Sequence, residues 1–306
     1  MPITEATIRA VKYPPELIPD SWFGTLVAGA EFFPPILDLR RFSPNFLRLV
    51  NIQVRQSLAA VTLRARYDEV RVEQSTEFLP TALVGAWDLP AKNQLYFNFF
   101  GVAGAVDYST HYGVWAYPPT IAHKIQWGIS LNQKEQEIAQ ELGIADTVEK
   151  GLLPLPISQL IEREYPVVGE ETHVRPVNIA AGGVVYPIEV IYAKPGEILV
   201  LTRIAALNGT AAQNAQIIVD RDNDANYLTF PTFPLNIIAG GEIACFIPAL
   251  TQLRLTTTAT APFAGSLFRY TVQRVKLTNI LRVRFGILTE AEAPKDLWAK
   301  CLAGVV

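Results

Sequence analysis

The chain has 306 residues, 50% of them hydrophobic and only 18% charged, with a formal net charge of −3. This length allows two domains or one large all-β unit with a full core, and the apolar share excludes disorder over most of the chain. The slightly acidic balance excludes nucleic-acid binding by phosphate neutralisation, while the shortage of charge suits a protein that buries its outside against neighbours.

Residues 1–45 come first and are rich in proline and aromatics: Tyr13-Pro14-Pro15, Trp22-Phe23, Phe32-Phe33-Pro34-Pro35 and Phe42-Ser43-Pro44. Proline fixes φ and removes an amide donor, so the segment is expected to be an extended arm rather than the interior of a sheet. Its aromatics need cover, from its own body or from a neighbouring subunit. The start, Met1-Pro2-Ile3-Thr4-Glu5-Ala6-Thr7-Ile8-Arg9, has neither the basic opening nor the apolar run of a signal peptide.

Residues 46–118 read as a first β domain. Apolar and polar residues alternate through Leu49-Val50-Asn51-Ile52-Gln53-Val54-Arg55 apart from Val50, and again in Val61-Thr62-Leu63-Arg64-Ala65-Arg66 and Val70-Arg71-Val72-Glu73. Such a period of two sets one face on a core. The aromatic runs over 94–100 and 112–117 are also β-prone, with the turn-rich residues 101–105 between them.

Residues 119–168 read as a helical connector. Asn132 followed by Glu135 has the spacing of a capping box, opening a helix that carries Ile138 and Leu142 and stops at Gly143. Leu152-Leu153-Pro154-Leu155-Pro156 then breaks the chain before a second short helix from Ser158 to Glu164, ended by Pro166.

Residues 169–288 read as a second β domain. Strand signals fall over 172–180, 184–193, 197–207, 215–220, 227–230, 242–247, 252–258, 266–277 and 280–285. Gly182-Gly183, Lys194-Pro195-Gly196, Asn208-Gly209, Gly240-Gly241 and Pro262 stand in the breaks. Short strands at this spacing are the pattern of a β-sandwich or jelly roll. Residues 289–306 form a short amphipathic helix, opened by Thr289 and Glu292 and carrying Leu297, Trp298, Cys301 and Leu302. The fold class is therefore all-β: two antiparallel sandwich or jelly-roll-like domains, a helical connector, an N-terminal arm and a C-terminal helix. No internal repeat is visible residue by residue.

Few residues suggest chemistry. Asp220, Asp222 and Asp224 alternate in Asp220-Arg221-Asp222-Asn223-Asp224-Ala225-Asn226 and have the oxygen donors for calcium. Ala225 replaces the glycine of an EF-hand loop and Pro231 replaces its glutamate, and an Asp/Asn cluster between strands is more often a solvated turn than a calcium site. His111, His123 and His173 have no close partner in sequence, and no hydrolase, zinc or phosphate-loop motif is present. No catalytic residue and no organic cofactor are expected. Glu170-Glu171 and Asp68-Glu69 are adjacent acids, which on a strand point to opposite faces and so do not face each other across a cleft. Cys245 and Cys301 are too far apart in sequence to imply a disulfide framework or a metal site, and read as free thiols packed as small hydrophobes. The longest uncharged run, 225–241, is broken by Pro231 and Pro234, so no membrane span is expected. Trp87, Tyr96, Phe97, Tyr108, Tyr112, Trp115 and Tyr117 offer the alternative of a carbohydrate-binding module that stacks sugars.

Lys194-Pro195-Gly196-Glu197-Ile198-Leu199-Val200-Leu201-Thr202-Arg203-Ile204 and the later Ala239-Gly240-Gly241-Glu242-Ile243 set Pro/Ala-Gly-Glu turns before apolar strands. In texture this last third resembles the jelly-roll proteins of phage and virus particles. The resemblance implies a non-enzymatic, self-assembling virion component (capsid, cement, collar or tail), made in the host cytoplasm and partnered by its own copies and by other virion proteins. On that reading Trp22, Phe23, Phe32 and Phe33 of the arm, and Leu297 and Trp298 of the last helix, are interface residues. Deleting residues 1–45 is then expected to leave both β domains folded.

Overall fold

The computed structural model describes the backbone of the strands and helices given below, together with residues 121, 124, 130–132, 164–166, the turns within 180–196, 222, and residues 250–288. Side chains are described chiefly over 130–141, 164–205, 216–222 and 244–288, with Glu16, Leu17, Ile121 and Lys124. Every strand pairing among these residues is antiparallel. The chain is all-β with short helices between and after the strands.

The first strands are β1 (Glu16–Leu26), β2 (Glu31–Phe32), β3 (Leu37–Asp38), β4 (Phe46–Gln56) and β5 (Val61–Tyr67). They are followed by β6 (Thr76–Phe78), β7 (Leu83–Gly85), β8 (Leu89–Ala91), β9 (Gln94–Gly101) and β10 (Val106–Tyr117). Helix α1 (Gln133–Glu141) precedes β11 (Val167–Ile179), β12 (Tyr186–Tyr192), β13 (Glu197–Ala206) and β14 (Gln216–Arg221). Then come β15 (Asp224–Pro231), β16 (Glu242–Ala249), β17 (Gln252–Thr258), β18 (Phe263–Lys276) and helix α2 (Asn279–Arg284).

The later eight strands form two four-stranded layers, β11-β18-β13-β16 and β12-β17-β14-β15. Numbered from one to eight in chain order, these are 1-8-3-6 and 2-7-4-5, the strand order of a jelly roll. The earlier strands repeat it when β2 and β3 count as one broken strand and β7 and β8 as another. Their layers are then β1-β10-β4-β7/β8 and β2/β3-β9-β5-β6. The correspondence reaches a local irregularity. In each roll the third strand bulges against the last, with the register shift after Val50 in β4 and after Leu201 in β13, the fifth residue of either strand. The repeat is one of topology, and it passes without trace in the side chains.

One edge of each roll joins the other. β1 meets β16 at the pair Leu17↔Phe246, so a single nine-stranded sheet contains strands from both rolls. The expectation that residues 1–45 stay out of a sheet interior is thus corrected for 16–26, which pair with β10 along their whole length and touch β16 on the other side. The proline pairs flank this strand, and Pro19 alone lies within it, past the Leu17 contact, where a missing N–H costs least.

The core of the second roll lies between its layers. Leu199, Leu201 and Ile204 of β13 pack there with Ile217 and Val219 of β14, Ile247 of β16, Leu253 and Leu255 of β17, and Phe268 and Val272 of β18. The residues alternating with Leu199 and Leu201, namely Ile198 and Val200, face a second cluster with Leu17, Tyr165, Phe246, Val275 and Leu281. β13 is therefore buried on both faces, which explains its unbroken apolar run.

The strand expected over 280–285 is also corrected: residues 279–284 are helix α2. Thr278 caps it, its side chain accepting from the Leu281 N–H at 3.3 Å. Gly286, at φ 67, lets its own N–H reach the Val283 carbonyl and that of Ile287 reach Arg282. This is a Schellman stop. Cap and stop outrank the β propensity of Ile280, Val283 and Phe285, and Leu281 closes the outer cluster. The strand expected over 70–73, the second connector helix apart from Glu164, and the C-terminal helix lie outside the described residues.

Candidate functional site

The acidic loop is placed between β14 and β15. Asp222 sits there at φ 48, and its carboxylate turns to the β16–β17 turn. Oδ1 accepts from the Thr251 N–H at 2.6 Å, the Thr251 hydroxyl at 2.7 Å and the Gln252 N–H at 3.2 Å, and Oδ2 from the Leu250 N–H at 3.0 Å. Burial pulls its pKa up, but these donors outweigh burial and hold it below the ordinary carboxylate range. Asp220 points to β17, where Arg254 Nε donates to it at 2.8 Å. The side chain of Asp224 lies outside the described set. Among the described residues no three acidic, histidine or cysteine side chains gather as a metal set. The geometry assigns Asp222 to clamping two turns together.

A second polar group was not anticipated. Glu171, His173 and Arg175 alternate on β11 and so share a face, turned toward Glu189 of β12 and Tyr270 and Arg274 of β18. Arg175 Nε lies 2.6 Å from Glu189 Oε2, and the Tyr270 hydroxyl donates to the same oxygen. The His173 ring stacks on Tyr270 with centroids 5.1 Å apart, and its Nε2 is 3.4 Å from Glu171 Oε2. Arg274 donates to Glu171 at 2.7 Å, which holds that carboxyl below its ordinary range. Chemically this is a zipper of neutralised charges binding strands of the two layers together. Period-two spacing of Glu171, His173 and Arg175 was the signal that could have found it. The neighbouring Glu170 is exposed and bonded to Gln273 at 2.8 Å, so the adjacent acids do face opposite ways.

The third group lies around the junction of the two rolls, and Glu16 is its member that reaches across. Glu16 pairs with Arg221 of β14, which also donates to the Pro248 carbonyl at 3.1 Å. Tyr165 meets the Phe246 ring edge-on at 5.1 Å between centroids. Burial pushes its hydroxyl pKa well up. Beside it Glu164 receives two bonds from Arg284, at 3.0 and 2.7 Å, with both residues buried. Cys245 is a buried free thiol, its Sγ 3.4 Å from the Leu201 carbonyl, and burial raises its pKa.

Of the expected interface residues, Trp22 and Phe23 are backbone partners of Thr110 and Ser109 in β10, and Phe32 of Phe99 in β9. Their side chains lie outside the described set, as do Phe33, Leu297, Trp298, Cys301 and His123. His111 is placed in β10 opposite Ser21 and Gln53, and Trp115 opposite Leu17 and Arg48. No helix among the described residues is long and apolar enough to cross a membrane.

No family model matches the chain, and no curated protein matches its sequence. Among solved structures it is similar to the PBSX exported protein XepA, at 10% identity and TM-score 0.21 over 90% of this chain and 89% of that one. It is similar to a chain of Sulfolobus turreted icosahedral virus at 9% identity and TM-score 0.26, covering 87% of this chain and 60% of that one. A tandem CBM22 domain of Paenibacillus barcinonensis Xyn10C follows at 10% identity and TM-score 0.22, over 84% and 91%.

Proposed function

We propose that this chain is a non-enzymatic structural protein of a virion, one that assembles with its own copies and with other particle components. The observation that carries the reading is the repeated jelly-roll strand order, with the two rolls fused edge to edge into one nine-stranded sheet. Jelly rolls serve as shell units, lectins and cupins. In the second roll the space between the layers is taken up by apolar side chains, as suits a building block whose function lies on its outside. Glu171, Arg175, Glu189, Asp220, Arg254 and Arg274 are spent on one another and Asp222 on a turn, which again favours a scaffold. The exposed valines at 167, 168 and 174 add apolar surface for neighbours.

Electron microscopy and sedimentation of the purified protein over a range of concentrations test this. Rings, tubes or shells are the expected products. A monomer at every concentration, with no particle in any image, would sink the reading.

A further inference from the structure

Resting on the assembly reading, we infer that copies of this chain join head to tail, the β11 edge of one copy docking on the β7/β8 edge of the next. The argument starts from the contact already made inside the chain. There the first strand of one roll, β1, meets the sixth strand of the other, β16. The repeated order leaves the same two kinds of edge at the ends of the joined sheet: β11 is a first strand and β7/β8 a sixth. A contact that works once within the chain is thus offered again between chains.

Three of the exposed apolar residues, Val167, Val168 and Val174, fall where this predicts. Glu16 opens β1 and registers with Ala116, next to last in β10; Val167 opens β11 and registers with Val275, next to last in β18. The two strand starts are counterparts. On β1, Leu17 is 5% exposed, covered by β16. On β11, Val167 and Val168 are 51% and 56% exposed, and Val174 farther along is 46% exposed. Val168 is also the residue left over at a register shift, which pushes it out of the ladder. Pro176 cannot donate to a new partner, so the docking stretch is 167–175. A second copy is the occupant because this chain itself carries the matching edge, β7/β8, at the far end of the same sheet. A first-to-sixth contact is heterologous, and it propagates into a ring or a filament according to its angle.

The test is Val168→Glu, with Val190→Glu on the outer face of β12 as control. Val168→Glu is expected to abolish the assembled species in sedimentation while leaving the thermal melting temperature unchanged, and Val190→Glu to assemble as the parent does. Because Val168→Glu keeps its β7/β8 edge, mixing it with parent protein should cap growing chains and shorten the assemblies in proportion to the fraction added. Full assembly by Val168→Glu, or its failure to enter mixed assemblies, would overturn the head-to-tail contact and leave the broader assembly reading standing. A parent protein that stays monomeric would remove both.

Discussion

The carboxylate of Asp222 takes four hydrogen bonds from residues 250–252 and so joins the β14–β15 turn to the β16–β17 turn. Asp222→Ala leaves those donors unanswered, and urea unfolding should show a loss of about 1–3 kcal/mol. Because the fold lowers this pKa, the stability it supplies is complete above the unfolded value and drains as pH falls through the folded one. Asp222→Asn should accordingly flatten the acid limb of the stability–pH curve; an unaltered limb would count against the clamp. Glu164 and Arg284 form the other decisive pair. Glu164→Ala takes the paired carboxylate from a buried guanidinium and should cost about 3–5 kcal/mol, whereas Glu164→Leu with Arg284→Met should recover much of that loss. Equal damage from single and double variants would show that packing, and not charge, holds the site.

Helix α1 opens on the expected capping box. The Glu135 N–H donates to Asn132 Oδ1 at 2.9 Å, the Asn132 N–H donates to Glu135 Oε2 at 3.0 Å, and Lys124 completes the group at 2.6 Å from Glu135 Oε1. Asn132→Ala should cost roughly 1 kcal/mol, read by chemical denaturation with the fold otherwise kept. Strand β1 carries a heavier load. It was expected to be dispensable with residues 1–45, but removing it takes Glu16 from Arg221, Leu17 from Phe246 and a whole partner from β10. Burial of Leu17 alone accounts for about 1.5–3 kcal/mol. A chain lacking residues 1–26 should therefore show early protease cleavage around 106–117. Survival of that segment as in the full chain would return β1 to the status of an arm.

At the scale of the whole molecule, the junction of β1 with β16 makes each roll part of the other's sheet, so partial truncations across it are expected to lower stability in both. The contact proposed between copies uses valines rather than charges. Assembly should therefore hold between low and high salt, since screening acts on exposed charge pairs and leaves apolar burial intact. Light scattering across a salt series checks this, and dissolution at high salt would point to an ionic contact elsewhere.

The sequence alone determined what local rules govern. Period-two alternation found β4 and β5, apolar runs at close spacing found most strands of 167–276, glycine and proline marked their breaks, and Asn132 with Glu135 announced α1, because each signal acts within a few residues. Tertiary structure decided the rest. Whether Trp22 and Phe23 lie in an arm or a strand depends on β10, some ninety positions away, and on the proline pairs falling outside the paired stretch. Asp222 became a clamp because residues 250–252 arrive from a distant turn. The duplication was invisible residue by residue, since a jelly roll demands only an order of alternating strands, which unrelated side chains meet equally well.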